Sequence, residues 1–204
     1  MRLILASNNP HKGVEFVRLF GATGVEITGA HAVGGMPAVE ETGTTFRENA
    51  FLKAEALQPR LGEADFALAD DSGLEVDALG GEPGVHSARF AGPGADAAAN
   101  IEKLLKELGD VPPSQRSARF VCVLCLLDHR GKARYFVGAC EGEILRHATG
   151  GEGFGYDPVF QPEGHEGSFA ALGRNIKDRI SHRARAVRAL REALNASAAA
   201  GGTS

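Results

Sequence analysis

The chain has 204 residues, 43% hydrophobic and 24% charged, an ordinary composition for a soluble domain with room for a core. Its net charge of −4 gives no general attraction to nucleic acid or anionic membrane. No apolar stretch approaches the ~20 residues of a membrane helix, and Met1-Arg2-Leu3-Ile4-Leu5-Ala6 is too short an apolar run for a secretory signal. A cytoplasmic protein is expected, without membrane or nucleic-acid partners.

Residues 3–7 read as a first strand. Ser7-Asn8-Asn9-Pro10-His11-Lys12 joins it to a helix over residues 12–20. A strand-turn-helix carrying a hydroxyl, amides and a lysine is either an anion site on a helix N-terminus or an Asn-Pro turn with a solvated lysine. It is not a P-loop, because GxxxxGK[ST] is absent. Val25-Glu26-Ile27 reads as a second strand. Glu40 and Glu41 lie in an irregular loop; they are simply solvated unless the fold brings them to other carboxylates. Thr45-Phe46-Arg47-Glu48 is a capping box opening a helix to about Leu57, with Phe46, Ala50, Ala54 and Leu57 on one face.

Phe66-Ala67-Leu68-Ala69 reads as a buried strand ending at Asp70-Asp71-Ser72-Gly73. Adjacent carboxylates at a strand end repel and lose hydration unless a cation or donors compensate; a strand-to-turn junction is the plainer alternative. Residues 74–79 alternate apolar and acidic, as in another strand. Asp96 caps a helix to about Leu108. Residues 118–127 and 133–144 form two long strands joined by Asp128-His129-Arg130-Gly131. Cys122 and Cys125 lie three apart in the first of them, with no second ligand pair, and are expected as core thiols rather than zinc ligands. Gly150 to Pro158 holds Phe154 and Tyr156 between glycines beside Asp157. These aromatics either stack on a planar base or pack into the core. Ser181 caps the last helix, whose Val187, Leu190 and Leu194 face the core while Arg185, Arg188 and Arg191 face solvent.

Helices alternating with strands, with a long hairpin inserted, predict an α/β protein. Its mixed, elongated central sheet is expected to be flanked by helices in two lobes, with an active-site cleft between them. One domain is expected over residues 1–195, and a disordered Ala/Gly/Ser/Thr-rich tail over 196–204.

In this order the segments resemble the inosine triphosphatase family over residues 3–194. The resemblance rests on Ser7-Asn8-Asn9 with Lys12 and Glu15, on Glu40-Glu41-Thr42-Gly43 with Thr45-Phe46 and Glu48-Asn49-Ala50, and on Ala69-Asp70-Asp71-Ser72-Gly73-Leu74. Gly80-Gly81-x-Pro83-Gly84, Ser87-Ala88-Arg89-Phe90, Gly153-Phe154-Gly155-Tyr156-Asp157-Pro158 and Ile180-Ser181-His182-Arg183 complete it. The resemblance implies a hydrolase that cleaves inosine, deoxyinosine and xanthosine triphosphates to monophosphate and pyrophosphate, with Mg²⁺ as cofactor and a homodimer as assembly. It implies Asp71 as general base and metal ligand, a second metal ligand from the acidic pair, Glu40 or Glu41, taken as Glu41, and Ser72 as a substrate contact. Ser7, Asn8, Asn9, Pro10, His11 and Lys12 match the triphosphate loop. Phe154, Gly155, Tyr156, Asp157, Lys177, His182 and Arg183 match the nucleotide pocket. The stretch before Lys177 departs from the often acidic family pattern, and Pro10-His11 varies the phosphate loop. A phosphomonoesterase releasing orthophosphate and a nucleotide-sensing module without turnover are the alternatives.

Overall fold

The computed structural model describes residues 1–21 and 25–201, with side chains through residue 196. Six strands form one sheet: β1 (Arg2–Leu5), β2 (Glu26–Gly29), β3 (Asp65–Val76), β4 (Ser117–Asp128), β5 (Ala133–Ile144) and β6 (Phe160–Pro162), in the order β2-β1-β3-β4-β5-β6. β1 runs parallel to β2 and β3, and β5 antiparallel to β6. The mixed α/β sheet is therefore as expected. The helices are α1 (Pro10–Phe20), α2 (Phe46–Leu57), α3 (Ala97–Leu108), α4 (Phe169–Leu172), α5 (Arg174–Ile180) and α6 (His182–Gly201).

The chain forms two compact units. The first comprises Met1–Asp71, Cys122–Val137 and the chain from Ala186 on. Its core joins Leu3 and Leu5 of β1, Phe16 and Phe20 of α1, Leu68, Leu124 and Leu126 of the strands, and Val187 and Leu190 of α6. The second comprises Ser72–Val121 and Gly138–Arg185. Its core joins Leu74, Leu104, Leu108, Phe120, Ile144, Tyr156, Phe160 and Phe169. Each unit thus encloses its own apolar cluster, assembled from separate stretches of sequence.

Local chemistry sets the helix starts. Thr45 Oγ1 accepts from Glu48 N at 3.2 Å while Glu48 Oε2 accepts from Thr45 N at 3.1 Å, the reciprocal box expected. Asp96 accepts from Ala99 N at 2.8 Å and Ser181 from Ala184 N at 3.2 Å. α1 begins two residues earlier than predicted, because Asn9 is its N-cap and Pro10 fits the first helical position. Its buried residues are Glu15, Phe16 and Phe20; Val14 and Val17 lie outward.

Two expectations are corrected. β3 does not end at Asp70: it continues to Val76, absorbing Leu74-Glu75-Val76, and Asp77–Leu79 is a 3₁₀ turn. What ends there is β1, whose Leu5 pairs with Leu68. Ser72 and Gly73 read as turn formers, but tertiary burial in the sheet overrides that weak local preference. α6 runs on to Gly201, past the expected boundary at residue 195, since alanine is the strongest helix former. Residues 202–204 of the expected tail lie outside the described residues. Arg174–Ile180, to which the sequence reading assigned no element, forms a helix of its own, which puts Lys177 on α5.

Candidate active site

In the first unit, Asp70 and Asp71 are consecutive on β3, so their side chains leave opposite faces. Each meets its own lysine. Asp70 is buried and lies 3.2 Å from Lys12 Nζ, which also donates to the Asp70 carbonyl at 3.4 Å. Cys122 Sγ donates to Asp70 Oδ1 at 3.6 Å. Lys12 comes from the first turn of α1, where Asn9 Oδ1 accepts from His11 N at 2.9 Å and Ser7 Oγ accepts from Asn9 N at 3.1 Å. Asn8, Pro10 and His11 are exposed. The loop therefore presents a shaped, cationic turn just past the end of β1, although Asn9 already satisfies part of the helix N-terminus.

Asp71 is held by Lys53 of α2, with Nζ 2.6 Å from Oδ1. The same ammonium lies 3.6 Å from Glu41. Asp71 Oδ2 is buried and meets no hydrogen-bond donor among the described residues. Burial pushes the Asp71 carboxyl above its ordinary range; Lys53 opposes this, and Glu41 and Asp70 add to it. Of the acidic pair, Glu41 faces this cluster and Glu40 is exposed. The loop is fixed by α2: Asn49 Oδ1 accepts from Gly43 N at 2.8 Å, and Glu48 Oε2 from Thr44 N at 2.7 Å. A Cβ on Gly43 would lie 2.6 Å from the Glu48 side chain, so this close approach needs glycine.

Lys53 was missed by the sequence reasoning. A signal existed: it lies four residues after Asn49 and three after Ala50, on the buried side of α2. A lysine there requires a partner.

Oxygen donors at Glu41 and Asp71 suit a hard divalent cation. Among the described residues no group of three or more His, Cys, Asp or Glu is arranged around a common point. Such cations are commonly held by one or two carboxylates, with water and phosphate completing the shell. The unpartnered Asp71 Oδ2 and the cation already drawn to both carboxylates are the features that favour such an ion.

In the second unit, Phe154 lies near two cations. Lys177 Nζ lies 4.4 Å from its ring centroid and the Arg183 guanidinium 5.6 Å. Lys177 forms a very short bond to Asp157 Oδ2, which also accepts from Phe154 N at 2.8 Å. Lys177 is thus engaged with Asp157 and an aromatic face. Gly155 (φ +61°) has open space where a side chain would be, and Gly153 (φ +89°) has none because Asp157 fills it. Arg183 Nη2 donates to Ser72 Oγ at 2.8 Å. His182 is buried and stacked on Phe120, centroids 4.8 Å apart. Of the two aromatics, Tyr156 takes the core alternative: it lies in the apolar cluster and its hydroxyl donates to the Ser87 carbonyl at 2.9 Å. Burial holds that phenol well above its ordinary range, so it stays neutral.

Cys122, Cys125 and Cys140 are buried in the cores, as expected. No helix among the described residues is long and apolar enough to cross a membrane.

A model of the Ham1 family matches residues 3–193. The chain is 52% identical over 192 residues to the dITP/XTP pyrophosphatase of Opitutus terrae, covering 91% of this chain and 95% of that protein. It is 49% identical to the dITP/XTP pyrophosphatase of Porphyromonas gingivalis, covering 95% and 97%. Its structure superposes on the Staphylococcus aureus Ham1 protein with a TM-score of 0.86 at 41% identity, covering 97% of this chain and all of that one. With one motif set held from Leu3 through the last helix and the same fold beneath it, the chain belongs to the Ham1 family.

Proposed function

We propose that this protein hydrolyses non-canonical purine nucleoside triphosphates (the inosine, deoxyinosine and xanthosine forms) to monophosphate and pyrophosphate, with Mg²⁺ as cofactor. The family and the relatives' activity support the reaction class. The observation that carries the chemistry is Asp71, whose Oδ2 is buried and free of donors beside Lys53 and Glu41.

Glu41 and Asp71 would hold the metal, which supplies charge neutralisation on the phosphates and a more acidic water. Asp71 accepts the proton of the attacking water. The α–β anhydride then breaks, and pyrophosphate leaves with the bridging oxygen. Lys12 and Lys53 neutralise the ~4 negative charges of a triphosphate and the charge that develops as the bond breaks. Lys12 exchanges Asp70 for phosphate in doing so. Ser7, Asn8, Asn9, Pro10 and His11 shape the turn that carries it.

Phe154 offers the base a ring face beside Gly155. Asp157, Lys177 and Arg183 are the polar groups beside that ring, Ser72 holds Arg183 in place, and His182, stacked on Phe120, is assigned to the pocket by the family resemblance. A donor aimed at a 6-oxo group rejects adenine, and a pocket without an acceptor for a 2-amino group rejects guanine. We also propose a cytoplasmic homodimer. Fractionation tests the location, and sedimentation equilibrium the dimer.

The deciding experiment assays a panel of nucleoside triphosphates with Mg²⁺ for pyrophosphate and monophosphate. Equal amounts of both from the inosine, deoxyinosine and xanthosine forms are expected. Orthophosphate alone would indicate a phosphomonoesterase, and binding without product a sensing module.

A further inference from the structure

The segment Ser87-Ala88-Arg89-Phe90 stands out in the sequence but belongs to neither set of site residues. In the structure Gly84–Arg89 is a 3₁₀ turn, and it makes bonds in two directions. Ser87 Oγ donates to the Gly84 carbonyl at 2.6 Å and accepts from Leu74 N of β3 at 2.8 Å. The Ser87 carbonyl accepts the Tyr156 hydroxyl at 2.9 Å. Asn100 of α3 fixes the turn from behind, accepting from Ala91 N at 2.7 Å and donating to the Ala88 carbonyl at 3.3 Å.

These bonds join two pieces of the base-recognition set. Leu74 is two residues from Ser72, which receives Arg183. Tyr156 lies between Phe154 and Asp157, which carry the ring face and the Lys177 partner. Tyr156 and Ser87 are 4% and 8% exposed, so neither side chain is available to a ligand. A buried hydroxyl is retained where its bond specifies geometry; an apolar ring would fill the same space.

We infer that Tyr156 and Ser87 are positioning residues for nucleotide recognition. Ser87 ties the glycine-rich loop, through the Tyr156 hydroxyl, to the strand segment that orients Arg183. This role rests on the pyrophosphatase reading, in which Phe154 and Arg183 meet the base. The family resemblance put Tyr156 among the substrate contacts; here it acts through Phe154 and Asp157. A loop built on three positive-φ glycines, Gly150, Gly153 and Gly155, has little local stiffness of its own, and fixing it in advance lowers the ordering cost on binding.

The test is Tyr156→Phe, which removes one oxygen and keeps the ring, with Ser87→Ala as a second variant. Leu105→Ala, at the edge of the same core, serves as a control for general destabilisation. The KM for inosine triphosphate is expected to rise 3- to 10-fold in Tyr156→Phe with kcat within twofold. The Kd of inosine monophosphate, measured by calorimetry, should rise by the same factor. Leu105→Ala should lower Tm and leave KM in place. Hydrogen exchange in the free protein should quicken at the amides of residues 153–157 in both brace variants. A lower Tm with unchanged KM overturns the inference, as does unchanged exchange in that loop. If the wild-type chain makes no pyrophosphate from any nucleotide, the pyrophosphatase reading fails, and the exchange measurement still decides whether Tyr156 holds the loop.

Discussion

Lys53 Nζ stands 2.6 Å from Oδ1 of Asp71, while Oδ2 of the same carboxylate is buried without a donor. One oxygen is neutralised and oriented; the other is available to a proton or a metal. Burial alone would favour the protonated acid, so the lysine is what keeps a charged base feasible there.

Asp71→Asn keeps shape and removes basicity. Turnover should fall at least ~10²-fold, the scale of lost general-base catalysis, with the circular dichroism spectrum unchanged. Because the folded carboxyl titrates above its ordinary 3.8, ionising it costs stability; the cost grows as pH rises from that ordinary value to the folded one and is fully present above it. In EDTA the Tm of Asp71→Asn should therefore match wild type near pH 3 and be relatively higher at pH 7. Near wild-type turnover in the folded variant would remove Asp71 from the chemistry.

The two glutamates should separate cleanly. Glu41→Gln is expected to raise the Mg²⁺ concentration for half-maximal activity ~10-fold or more, whereas Glu40→Gln, altering an exposed side chain, should change it less than twofold. EDTA should abolish activity in all forms and Mg²⁺ restore it. Activity persisting without a divalent ion, or returning only with Zn²⁺, contradicts the oxygen-ligand site.

Arg183 lies near Phe154 and is held by Ser72. Arg183→Ala should lower kcat/KM for inosine triphosphate ~5- to 150-fold more than for adenosine triphosphate, the equivalent of one lost polar pairing of ~1–3 kcal/mol. Equal losses on both substrates would assign it to phosphate instead.

Arg2 donates to both oxygens of Asp65, at 2.8 and 2.7 Å, across the β1–β3 register. Those hydrogen bonds hold the Asp65 carboxyl below its ordinary 3.8. A lowered folded value means stabilisation that is present above ~4 and lost as pH falls through the folded value. Asp65→Asn should lower Tm by ~2–4 °C at pH 7, with the gap closing toward pH 2. A gap that is constant with pH would show that the charge plays no part.

Burial pushes the Cys125 thiol up to about 12 and Cys140 up to about 11. Both should resist a thiol-specific disulfide reagent at pH 8 until denaturant is added. Rapid labelling of the native protein would contradict the core placement.

Much of this was legible in the residues. The Thr45 box, the Asp96 and Ser181 caps and the long hairpin are local patterns, and each forms where its chemistry says. β3 was misread because Asp, Ser and Gly carry turn preferences locally, whereas their strand conformation comes from the sheet around them. Tyr156 and Phe154 look alike between glycines; only the tertiary partner, the Ser87 carbonyl, sends one inward. Lys53 was hidden by treating α2 as an apolar stripe. The pairing of Asp70 with Lys12 and Asp71 with Lys53 depends on which element reaches each strand face, and no spacing along the chain encodes that.

The first unit's core draws on Leu3 and Phe16 near the beginning of the chain and on Val187 and Leu190 near its end. During synthesis this apolar surface waits for its last wall until α6 has left the ribosome, although most of its other members emerged long before. Neither unit is one continuous stretch, so cutting at one boundary cannot release either of them whole. A stop codon just before Ala186 would spare Lys12, Lys53, Asp71 and Arg183 yet remove part of the floor beneath β1 and α1. Premature termination there should disable the enzyme by misfolding, with every proposed catalytic side chain still encoded.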